Sequence, residues 1–168
     1  PAQVRGLATK QMAYGYALTG HPDACHRVLD RTADLHATAT PAEEGSDPAL
    51  GPNHLSVDVP LMLAQFRATC DVYLGGGEHA TTALSSYRTA YGPKARRGAI
   101  TSARLARAHA QAGDPDRACA LALEALETGQ VLDSWTTRIE LRRALAPLRR
   151  WPAREDVAEV RHRITALA

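Results

Sequence analysis

The stretch Gln111–Leu126, QAGDPDRACALALEAL, decides the fold. Gly113 is the residue type that ends helices, Asp114 is a good N-cap, and Pro115 fits the first helical turn, where its missing N–H costs nothing. The run after Pro115 is rich in Ala and Leu and meets no breaker before Gly129, where the helix is expected to stop. The stretch therefore reads as the turn and second arm of a helical hairpin.

The same hairpin recurs along the chain. Five residues forward from Gly20, Gly75 and Gly113 stand Cys25, Ala80 and Ala118, and seven residues back stand Ala13, Ala68 and Ala106. Nine and twelve residues forward stand Leu29 and Thr32, Leu84 and Tyr87, and Ala122 and Ala125. Small residues at the closest approach let two helices pack tightly, while larger ones fill the gap to the next hairpin. The intervals from Cys25 to Ala80 and from Ala80 to Ala118 are 55 and 38 residues, and an insertion in the first interval explains most of the difference.

The expected architecture is all-α: about eight helices in stacked antiparallel hairpins, forming a single domain over 1–168. The hairpins cover about 2–38, 58–91, 94–128 and 134–167. Gly20, the Gly75-Gly76-Gly77 run and Gly92-Pro93 punctuate the first three, with His79 expected to open the arm after the triple glycine. Trp151-Pro152 splits the last hairpin. Residues 40–57, TPAEEGSDPALGPNHLSV, carry three prolines and two glycines without periodicity and read as a long loop.

Composition supports helices over sheet. Aromatic residues make up 5% of the 168 residues, with one Phe, in an apolar fraction of 45% dominated by Ala and Leu. No apolar run approaches the ~20 residues needed to span a bilayer, and no signal peptide is legible, so a cytoplasmic protein is expected. The net charge of +2 is too balanced for a nucleic-acid footprint. Arginine accumulates after Thr136, but Glu140, Glu155, Asp156 and Glu159 interleave with it at helical spacing and predict a salt-bridged face.

Little in the chain suggests catalysis. Gly75–Ala80, GGGEHA, follows a helix and lacks the Lys of a phosphate loop. There is no G-x-S-x-G, and His26, Asp30 and Asp34 share a helical face without a second ligand cluster. The three cysteines, Cys25, Cys70 and Cys119, form no C-x-x-C and are expected as buried free thiols. Trp135 and Trp151, which flank the penultimate helix, are expected to be core or staple residues that hold the terminal pair of helices. The expectation is a non-enzyme with no cofactor and no metal.

The pattern resembles the tetratricopeptide repeat. Ala13, Tyr16, Gly20 and Cys25 match its small, aromatic, turn and small positions, as do Leu105, Ala106, Gly113, Ala118 and Ala125; His109 and Asp71 depart from its preferred Tyr. LARAHAQAGDPDRACALALEAL, LDSWTTRIELRRALAPLRRW and DVAEVRHRITAL together resemble the C-terminal domain of actinobacterial, Streptomyces-type helix-turn-helix regulators of the XRE family.

The resemblance implies a tetratricopeptide-like α-α superhelix that senses a ligand, binds a partner or self-associates as a homodimer. It also implies an N-terminal DNA-binding domain, and the start at Pro1 without Met agrees with a chain cut from a longer one. No recognition helix is legible, so no direct nucleic-acid contact and no membrane contact are expected of this chain. Carried across from the family, the groove positions on the concave face are Lys10, Tyr14, Gln65, Thr69, Tyr73, Arg107 and Gln111, a set of donors, cations and phenols suited to an extended peptide or a carboxylate-bearing ligand, so a peptide, small molecule or protein partner is expected there. A free-standing protein–protein scaffold unrelated to transcription is the alternative.

Overall fold

The structure, a computed structural model, describes residues 2–38 and 59–167, with side chains from residue 8 onward. The expected loop at 40–57 and the expected cap at Asp58 lie outside the described residues. Those residues form eight α-helices and no strand: α1 (Ala2–Leu18), α2 (Pro22–Ala37), α3 (Val59–Leu74), α4 (Gly77–Tyr91), α5 (Arg96–Gln111), α6 (Pro115–Val131), α7 (Trp135–Leu148) and α8 (Glu155–Thr165). None of these helices is long and apolar enough to cross a membrane. The chain divides into two compact units, Pro1–Leu74 and Gly75–Ala168.

In the first unit α1 packs along α2, and α3 packs on both. Gly20 takes a left-handed φ of 76°, and the His21 amide donates back to the Tyr16 carbonyl at 2.9 Å, closing α1 with a Schellman turn before Pro22 opens α2. The core joins Ala13, Ala17, Cys25, Leu29, Phe66, Cys70 and Tyr73.

In the second unit α5 is the central helix, packed against α4, α6 and α7, with α8 closing on α6 and α7. The α5–α6 turn repeats the Schellman geometry: Gly113 has φ 86°, and the Asp114 amide donates to the His109 carbonyl at 2.9 Å. The Asp114 carboxylate then accepts from the Arg117 amide at 3.1 Å as the N-cap of α6. The core runs from Ala103 and Ala106 through Ala118, Ala122 and Leu126 to Leu141, Val157, Val160 and Ile164.

All twelve positions picked out by the repeat count are buried, from Ala13, Cys25, Leu29 and Thr32 in the first hairpin to Ala106, Ala118, Ala122 and Ala125 in the third. Within the second unit, contacts fall one interval apart. Arg88 of α4 reaches Glu124 of α6, Arg104 of α5 reaches Glu140 of α7, and Arg96 donates to the Leu132 carbonyl, each across 36 residues.

Three expectations need correction. Gly129 does not end α6 but lies inside it, buried where a Cβ would sit 2.9 Å from the Thr137 Cγ2. The stop is Asp133 at φ 45°, where the Ser134 amide donates to the Gly129 carbonyl at 3.0 Å. Likewise α4 starts at Gly77 rather than His79, because that glycine lets the helix end approach Ala108 of α5. Trp135 is 62% exposed at the first position of α7, whereas Trp151 packs half-buried on the core.

Candidate ligand-binding surfaces

The seven residues singled out from the sequence fall into two groups, five in the first unit and two in the second. Lys10 and Tyr14 are one helical turn apart on α1, so both side chains reach the face toward α3. The Lys10 ammonium lies 4.9 Å from the Phe66 ring centroid and 5.8 Å from that of Tyr14, a cation over two π faces. Tyr14 stands edge-on to Phe66 at 6.3 Å and to Tyr73 at 5.8 Å. Phe66 and Tyr73 follow i, i+7 spacing on α3, which sets both rings on one stripe.

Gln65, Thr69 and Tyr73 are buried. Gln65 donates from Nε2 to the Thr69 hydroxyl at 2.7 Å, a pairing that follows from their i, i+4 spacing. Tyr14 and Lys10 are half-buried. In the first unit the structure thus joins the five residues through two sets of side-chain contacts, Lys10–Tyr14–Tyr73 and Gln65–Thr69.

Arg107 and Gln111 are half-buried on α5. Arg104 lies on the same stripe, since positions i, i+3 and i+7 fall within about 60° of one another on a helix. Arg104 pairs with Glu140 of α7 at 3.3 Å, and Arg143, one turn along α7, pairs with the same oxygen at 3.2 Å. Gln111 turns its side-chain oxygen toward the start of α4, where it would meet a Cβ at Gly77.

Arg104, Glu140 and Arg143 were not chosen from the sequence. The carried-over groove positions name two residues on α5, and Glu140 reads there as one acid of a solvated, salt-bridged face. The available signal was spacing: Arg104 stands 36 residues before Glu140, close to the repeat interval. Elsewhere two of the interleaved acids, Asp156 and Glu159, pair with Arg154 and Arg163. Arg154 holds Asp156 at 2.8 Å and also binds Asp116, and this guanidinium keeps the Asp156 carboxyl below its ordinary range.

At the α5–α6 turn His109 is buried with Nδ1 3.5 Å from Asp114. Burial lowers its pKa and outweighs the opposing pull of the Asp114 carboxylate. Among the described residues no group of three or more His, Cys, Asp or Glu side chains is placed to hold a metal ion, and Asp30 of the sequence's His-Asp-Asp face is paired with Arg67 at 2.7 Å. Compared with known proteins, the chain matches no family model, no curated protein and no solved structure.

Proposed function

We propose that this chain is a non-catalytic sensing or assembly domain of a transcriptional regulator, a tetratricopeptide-like array that binds an acidic, carboxylate-bearing peptide. The observation that carries the reading is the donor stripe of the second unit. Arg107 and Gln111 along α5 place a half-buried guanidinium and a half-buried amide beside the cluster in which Arg104 and Arg143 share the Glu140 carboxylate. Guanidinium groups remain charged at any physiological pH and meet carboxylates in a bidentate fork, so such a stripe favours acidic chains over neutral ones. The recurrence of the hairpin supports the array, and the sequence resemblance supports the link to regulators.

The test is an array of acidic and neutral decapeptides probed with the chain at low and moderate salt. Selective retention of acidic peptides, weakened by Arg107→Ala and by salt, supports peptide sensing. Indifference to peptide charge sinks it. Light scattering reads the mass in parallel, and a stable dimer that binds no peptide assigns the domain to assembly. The full gene decides the regulator: a helix-turn-helix segment upstream supports it, and a gene lacking one leaves the scaffold reading.

A further inference from the structure

Two of the three thiols meet in the core of the first unit. Cys25 on α2 is hydrogen-bonded to Cys70 on α3, both are 0% exposed, and both belong to the cluster that holds α1, α2 and α3 together. Each is packed on all sides in the core of the unit. The contact also spans a long stretch of chain, 45 residues from one cysteine to the other.

We infer that Cys25 and Cys70 form a reversible disulfide under a hydroperoxide, a covalent latch between α2 and α3. The atoms balance in two steps. One thiol, as thiolate, attacks the peroxide, the O–O bond breaks, and a sulfenic acid and one water form when hydrogen peroxide is the oxidant. The neighbouring thiol then attacks that sulfur, the S–O bond breaks, and a second water leaves as the S–S bond forms. A dithiol reductant reverses the change by thiol–disulfide exchange.

Burial sets the timing. It raises the Cys25 pKa and keeps oxidants out, with Arg67 favouring the thiolate and Asp71 opposing it. Reaction therefore follows local opening of the three helices, and the closed pair is quiet. Once made, the bond removes the entropy of the chain between the cysteines from the opened state and holds the unit shut. Cys119 has a different surrounding in the second unit, where burial and the Asp156 carboxylate push its thiol up to about 11.

The experiment treats the full chain with hydrogen peroxide in mild urea, removes both, and reads intact mass, a tryptic map and Tm. Trypsin leaves the three cysteines on three separate peptides, because Arg27, Arg67, Arg88 and Arg117 divide them. The expected result is a loss of about 2 Da, a Cys25–Cys70 cross-linked peptide pair, and a Tm higher by roughly 5–10 °C that dithiothreitol returns to its starting value. Cys119→Ala keeps all three changes and Cys70→Ala loses them. If Cys70→Ala does not fold, the wild-type map decides alone. Oxygen adducts on Cys25 or Cys70 without the link, a link through Cys119, or a link that leaves Tm unchanged each overturns the latch.

Discussion

Arg104 of α5 and Glu140 of α7 meet at 3.3 Å across 36 residues of chain, and the carboxylate is 2% exposed. Arg143 holds the same carboxylate oxygen from the next turn of α7, at 3.2 Å. Two neighbouring hairpins are thus joined by charge as well as by apolar packing. A buried carboxylate is tolerable only while such partners surround it.

Removing the acid leaves Arg104 buried without this counter-charge, while Arg143, about a third exposed, can turn to water. Glu140→Ala is expected to cost about 3 kcal/mol, a fall in Tm of roughly 6–12 °C for a chain of this size. Arg104→Leu combined with Glu140→Leu should restore most of it, since a buried pair replaced by apolar groups is often near neutral. Calorimetry on the single and double variants checks both. A double variant no better than the single would show that the pair is not the source of the loss.

Glycines at two helix positions are expected to respond oppositely to the same substitution. At Gly77 an added Cβ would lie 2.6 Å from the Ala108 carbonyl and 2.7 Å from its Cα, both backbone atoms that cannot step aside. Gly77→Ala should cost about 1–3 kcal/mol through separation of α4 from α5. At Gly15, inside α1, nothing lies within 4 Å of the added methyl. There Ala restores helix propensity and should stabilise by about 0.5–1 kcal/mol. Urea titrations of the two variants measure the difference, and equal signs would refute the close approach at Gly77.

Local chemistry made most of the helices legible. Gly20 and Gly113 do sit at positive φ, Pro22 and Pro115 do open helices, and Asp114 does cap α6, because each signal acts within one turn of chain. Gly77 and Gly129 were misread for a reason that is not local. Each serves a helix that approaches from elsewhere in the sequence, and a glycine needed for contact looks the same in sequence as one needed for a turn. The residues around Glu140 were legible only in part. Arg107 and Gln111 were named by the family resemblance, whereas the burial of Glu140 and its capture by Arg104 depend on how successive hairpins stack.

The Asp133–Ser134 turn shows what replaces a glycine stop. Ser134 is fully buried, and its hydroxyl accepts from the Thr137 amide at 3.3 Å and from the Thr137 hydroxyl at 2.8 Å. Ser134→Ala removes the cap of α7 and leaves both Thr137 donors unsatisfied there, for an expected loss of about 1–2 kcal/mol. Asp133→Gly, which relieves a left-handed Asp but gives up its ion pair with Arg138, should change stability by less than Ser134→Ala does. Equilibrium unfolding of the two variants ranks them, and the reverse order would place the turn's stability in the ion pair.

Stability should also carry the signature of His109. Its pKa is lowered in the folded protein, chiefly by burial, with Arg117 adding to the effect and Asp114 opposing it. Between the ordinary histidine value of about 6.5 and the lower folded value, the unfolded chain binds a proton that the native state refuses, so stability falls as pH drops through that window. Above about 6.5 neither state binds the proton, and below the folded value both do, so the slope vanishes at either end. The Asp156 carboxyl, held below the ordinary carboxylate range by Arg154, titrates below this window and leaves it readable. His109→Gln keeps a polar side chain beside Asp114 but cannot titrate, so its Tm should hold steady from pH 7 to 5.5 while that of the parent declines. Curves that run parallel across this range would show that His109 is not the group responsible.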